Sequence, residues 1–192
     1  MGKIRIDPAA YLLWAVLLLI LPLKWLLSAA VAALIHELGH ILVVRLTGGT
    51  ISAISVHPCG AEIETPPMEP AQELICALAG PVSGLFLLLF VRRIPLIALC
   101  AVIQSAYNLL PIYPFDGGRA LKRSLELLLP CSFACKLFSA VEIGCAGLLL
   151  SAAIAGYFCW NLGIIPIILV SGLVVKLLGR KIPCKSPSLR VQ

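Results

Sequence analysis

Two histidines four residues apart, His36 and His40, bracket Glu37 in the stretch LIHELGHILVV at residues 34–44. On an α-helix that spacing is little more than one turn, so both imidazoles leave one face and can converge on a single ion. Glu37 stands beside His36, within reach of a water bound to that ion. This is the HExxH arrangement of zinc hydrolases, with neutral imidazoles as ligands and the carboxylate as general base. The competing arrangement has both rings bonded to neighbouring helices and Glu37 paired with an arginine. The chain has only three histidines and places two of them here, which favours the metal.

A catalytic zinc takes three protein ligands and leaves its fourth position to water. The acidic inventory for a third ligand is short. Asp7 lies near the start, Glu62 to Glu73 lie in or near a polar ribbon, and Glu126 and Glu142 sit on expected helices with lysine or arginine nearby. Asp116 differs, because it lies in NLLPIYPFDGGR at 108–119, where prolines and glycines break a helix at the end of a membrane span. Irregular backbone at membrane depth is tolerated only where protein buries it or it lines a cavity. Asp116 is therefore the candidate third ligand.

The elements that must position these groups follow from composition. Of 192 residues, 60% are hydrophobic and 12% charged, and the mean hydropathy is +1.04. A soluble domain is about 45–50% apolar and about 25% charged, so the composition excludes that class. Runs apolar enough to cross a bilayer occur at about 9–23, 25–44, 73–91, 94–110, 134–157 and 161–178. The expectation is an all-α polytopic membrane protein of about six transmembrane helices, in which only Lys24 separates the first two. The first run resembles a secretory signal after Lys3 and Arg5, but its apolar continuation reads as an anchor. Residues 1–192 are expected to form one membrane-embedded domain, with a catalytic core at about 25–120 and additional helices at about 134–178.

Between the second and third spans, Thr47 to Pro67 alternates apolar and polar residues between glycine and proline turn signals, the pattern of a short β-hairpin. Such a ribbon can accept an extended peptide along an open edge, and an ordinary surface loop fits the pattern equally. His57 and Cys59 lie in it, without the further ligands a metal site needs. The net charge of +6 is unevenly placed. With a cytoplasmic N-terminus, twelve of the fifteen basic residues fall on the cytoplasmic side, leaving Lys24, Arg92 and Arg93 outside. That asymmetry predicts cytoplasmic termini in a cell membrane and points to the lipid bilayer, with no nucleic-acid partner. The eight scattered cysteines contain no CxxC and read as small packing residues. Residues 119–129 read as an amphipathic surface helix whose Arg119, Lys122 and Arg123 meet anionic headgroups.

HELGH at 36–40, ALAGPVSG at 77–84 and NLLPIYPFDGG at 108–118 together resemble the signatures of the site-2 proteases, a family of intramembrane zinc metalloproteases. The motifs cover roughly residues 30–120 and stand in the family's order. The resemblance implies that His36, His40 and Asp116 bind zinc, that Glu37 is the general base and that Asn108 helps position substrate or intermediate. It also implies a membrane-tethered protein substrate, cut in or near its transmembrane segment, with membrane-protein regulators as further partners. Ser83 departs from the pattern, where an asparagine is expected. With no space for a PDZ domain and no nucleotide-sensing domain expected after the sixth span, the chain looks most like the sporulation branch. That branch, the stage IV sporulation protein FB type, releases a sigma factor from a membrane-bound precursor. Two other classes use the same residues: a membrane metal-ion transporter whose path is lined by His, Glu and Asp, and a non-catalytic relative that binds membrane proteins.

Overall fold

The structure is a computed structural model that describes residues 3–57, 60–161 and 163–178. The chain divides into two compact units, Met1–Leu109 and Leu110–Gln192.

In the first unit, strand β1 (Lys3–Ile6) leads into helix α1 (Pro8–Ile20), and helix α2 (Leu23–Leu46) follows after a two-residue break. Pro22 sits at the N-cap of α2 with φ −59°. The break is therefore at the proline, where a continuing helix would lose a hydrogen bond and clash with the preceding turn; Lys24, expected as the separator, is the second residue of α2. Strands β2 (Ala53–His57) and β3 (Gly60–Glu64) form the expected hairpin, antiparallel with Ile54 opposite Ile63. The sheet has a third strand that the alternation pattern did not reveal. β1 runs parallel to β2, pairing Lys3 with Ala53 and Ile6 with Val56, and Asp7 N–H extends the pairing to the Val56 carbonyl at 2.9 Å. Parallel neighbours need a crossover, which here is the α1–α2 pair. It follows that the chain before α1 and the chain after α2 lie at the same end of that pair.

Helix α3 (Pro70–Phe86) opens on a capping box between Glu69 and Gln72 with Pro70 at its first turn, a pairing that satisfies otherwise orphaned N–H groups. It runs on as a 3-10 turn, Leu87–Phe90. Arg92 and Arg93 lie in the bend before helix α4 (Pro95–Asn108), which again begins on proline. The helices pack through small side chains: Ala32, Ala77 and Ala98 are fully buried, and Ala32, Leu87 and Ala101 form a core. Small residues let membrane helices approach closely, since apolar side chains gain little by leaving lipid.

The second unit contains α5 (Asp116–Leu128), α6 (Cys131–Trp160) and α7 (Ile165–Leu178). Pro130 ends α5 and caps α6, and Asn161, at φ 52°, closes α6 in the left-handed conformation. Lys122 and Arg123 both pair with Glu126, Lys122 Nζ at 4.0 Å from Oε1. These cations, expected to face headgroups, have an acidic partner on their own helix.

Among the described residues, three helical stretches are long and apolar enough to cross a membrane: Leu23–Leu46, Pro70–Phe90 and Cys131–Cys159. Helices α1, α4 and α7, with 13, 14 and 14 residues, are shorter than the roughly 20 residues a full crossing takes. Cys76, Cys100, Cys131, Cys145 and Cys159 are free thiols. Cys135 is disulfide-bonded, which corrects the reading of every cysteine as a packing residue. Cys59 and Cys184 lie outside the described residues.

Candidate metal centre

His36 and His40 are 2% and 6% exposed on α2, and their Nε2 atoms stand 3.3 Å apart. His40 Nδ1 lies 2.8 Å from the Cys76 carbonyl oxygen on α3. A carbonyl only accepts, so in the neutral ring the proton is on Nδ1 and the Nε2 lone pair faces His36. Two ring nitrogens turned toward each other in a buried site repel unless something positive lies between them. Ligands about 2.0–2.1 Å from a tetrahedral zinc are roughly 3.3–3.4 Å apart, so the observed separation fits a shared ion. No sequence pattern announces the Cys76 carbonyl, because the group that orients His40 is main chain.

The space for the two rings comes from Gly80. A Cβ built there would run into His40 Nε2 and would lie 2.6 Å from His40 Cε1 and 2.7 Å from His36 Nε2. The sequence suggests helix bending or packing through small residues for this glycine; its position makes it the wall of the imidazole pair. A side chain at Gly39 would meet Ser83 Oγ at 2.5 Å and the Ala79 carbonyl oxygen at 2.6 Å, so α2 and α3 touch main chain to main chain beside the site. Ser83 makes use of that closeness. Its hydroxyl lies 3.0 Å from the Ile35 carbonyl oxygen and 2.7 Å from that of Gly80, so its one proton binds α3 to itself or to α2. On the opposite side, Ser105 Oγ donates to the Pro81 carbonyl at 3.2 Å and links α4 to α3.

Asn108, the last residue of α4, brings its amide Nδ2 to 3.4 Å from His36 Nε2. It is thus beside the imidazole pair, where a polar side chain can reach whatever the pair holds. Glu37 follows His36 on α2 and is half-buried, about 100° further round the helix.

Asp116 lies in the second unit as the first residue of α5 and is 7% exposed. The N-terminal turn favours a carboxylate because its N–H groups carry the positive end of the helix dipole. Arg119 Nη1 is 3.7 Å from Asp116 Oδ1. Upstream of α5, Tyr113 N–H donates to Glu142 Oε1 of α6 at 2.8 Å, so an acid set aside in the sequence because basic residues lie near it binds main chain.

No protein-family model matches the chain. It is 30% identical over 127 residues to a zinc metalloprotease of Methanocaldococcus jannaschii, a match covering 59% of this chain and 35% of that one. It is 28% identical over 181 residues to stage IV sporulation protein FB of Bacillus subtilis, covering 86% and 59%. The chain therefore spans between about a third and three-fifths of the length of these curated relatives. Its fold matches that of a site-2 protease from Methanocaldococcus jannaschii with a TM-score of 0.63 and 21% identity, over 97% of this chain and 95% of the other. The chain is thus similar in sequence to a zinc metalloprotease and in fold to a site-2 protease. Its sequence similarity extends to a sporulation protein, and Ser83, where the resemblance predicts an asparagine, places its hydroxyl within hydrogen-bonding distance of carbonyls on both α2 and α3.

Proposed function

We propose that this chain is an intramembrane zinc metalloprotease that hydrolyses peptide bonds in or near the transmembrane segment of membrane-tethered proteins. The observation that carries the proposal is the His36–His40 pair, 3.3 Å apart at Nε2 inside an apolar helix, with one ring's tautomer set by a carbonyl. Asp116 is the third ligand: like the two histidines it is buried and offers one atom of a type zinc takes. Connectivity supports this. Asn108 stands at His36, and Asp116 follows it by only eight residues, through a run of turns.

Zinc, when bound, supplies the Lewis acid that makes water a nucleophile near neutral pH. Glu37 takes the proton as that water attacks the scissile carbonyl and returns it to the leaving amine. Asn108 holds substrate or intermediate through its amide. The peptide must be extended to be cut, and β3 is an edge of the sheet, to which an extended segment can add as a further strand. We place both termini in the cytoplasm of a multi-pass membrane protein, and take residues 1–192 as one metalloprotease domain. By its likeness to the sporulation type, a membrane-held transcription or sigma factor is the substrate class, with membrane-protein regulators as partners.

The test uses the purified chain in vesicles with a membrane-tethered substrate. Chelation of zinc should abolish cleavage and zinc add-back restore it, whereas cleavage that survives complete chelation contradicts the proposal. Asp116→Ala should lower both zinc content and cleavage by at least about tenfold, in line with loss of a metal-site group. Full zinc occupancy in that variant removes Asp116 from the ligand set.

A further inference from the structure

Glu142 is a buried carboxylate that the mechanism above does not use. It is 3% exposed and lies within the apolar span Cys131–Cys159. An ionisable side chain in such a segment is costly and is retained where it performs a task. Its Oε1 accepts the main-chain N–H of Tyr113 at 2.8 Å, three residues before Asp116. The same stretch is held from α5. Phe115 N–H donates to the Ile112 carbonyl and Arg119 N–H to that of Phe115, both at 3.0 Å. Gly118 lets α5 lie against this main chain, since a Cβ there would stand 2.5 Å from both the Ile112 carbonyl oxygen and Tyr113 N. The peptide between Ile112 and Tyr113 is thus fixed by α6 through a carboxylate and by α5 through an absent side chain.

We infer that Glu142 is a positioning residue for Asp116: by holding Tyr113 N–H it sets the turn from which the third ligand is presented. The inference rests on the assignment of Asp116 as a ligand. The contact that positions the turn is an acceptor at the correct reach, and conservative variants separate reach from charge. Glu142→Gln keeps length and acceptor but loses the charge. Glu142→Asp keeps the charge and withdraws the oxygen by one carbon–carbon bond, about 1.5 Å.

The experiment loads the purified chain with cobalt(II) in place of zinc, then records the visible ligand-field spectrum and metal retention against a chelator. Glu142→Gln should match the wild type in both. Glu142→Asp should retain metal about 10- to 100-fold less well, the range for groups that orient a ligand, and shift the spectrum toward that of Asp116→Ala. Gly118→Ala, which displaces the same peptide from the α5 side, should do likewise, and it serves if Glu142→Asp does not fold. Wild-type retention in Glu142→Asp or Gly118→Ala, or losses in Glu142→Gln equal to those in Glu142→Asp, would overturn the inference. If Asp116→Ala itself keeps its metal, the ligand assignment fails; if it loses metal while Glu142→Asp and Gly118→Ala do not, only the role of Glu142 fails.

Discussion

Gly80 shows how much of this centre depends on a single missing side chain. With His40 oriented by the Cys76 carbonyl and both rings against the α3 main chain, a methyl group at Gly80 has nowhere to go. Filling packed space in this way costs about 1–3 kcal/mol, and here the displaced atoms are the imidazole nitrogens proposed to bind zinc. Gly80→Ala should therefore lose zinc, read as metal per chain after dialysis against a weak chelator, with cleavage falling at least about 100-fold. One zinc per chain at wild-type affinity would show that the rings move aside without harm. The residue scale is also where the sequence was most legible. His36, Glu37 and His40 are local in the chain, and helical periodicity alone puts the two imidazoles on one face. The Cys76 carbonyl and the wall at Gly80 were not legible, because each depends on which point of α3 crosses α2. Nor was the use of Glu142, which an inventory of charged neighbours could not separate from an ordinary ion pair.

At the scale of elements, α3 is held against α2 and against α4 by contacts of two kinds. Gly39 faces a main-chain carbonyl, that of Ala79, which cannot move without shifting α3. Gly84 instead faces Ser105 Oγ at 2.5 Å, the end of a side chain that can rotate at the loss of its bond to Pro81. Gly84→Ala should thus cost about 1 kcal/mol, the worth of a typical hydrogen bond, while Gly39→Ala should cost more and weaken zinc retention as well. Thermal midpoints in detergent will order the two variants, and equal midpoints would contradict the close α2–α3 contact. The helices themselves were placed by apolar run length to within a few residues, since length and hydropathy are properties of the run alone. β1 was missed for the converse reason. A four-residue strand, KIRI, carries too little pattern, and its partner lies some fifty residues away across two helices.

For the whole molecule, the pairing of β1 with β2 has a topological consequence. The chain ahead of α1 and the ribbon after α2 share one side, the side that the proposed topology places in the cytoplasm. An epitope placed ahead of β1 and another inserted at Pro66 should be digested by protease from the same side of sealed vesicles, and one inserted at Arg93 from the other. Protection of the first two from opposite sides would contradict the sheet. All of this surrounds a single chemical claim, that a metal held by His36 and His40 works with Glu37 to cut a peptide bond. The most direct measurement is cleavage of a co-expressed membrane-tethered substrate by Glu37→Gln beside the wild type, with zinc content determined in both. The variant should keep one zinc per chain and yield no product, because glutamine preserves the shape of the site but cannot take a proton from water. Cleavage by Glu37→Gln at the wild-type rate would contradict the account.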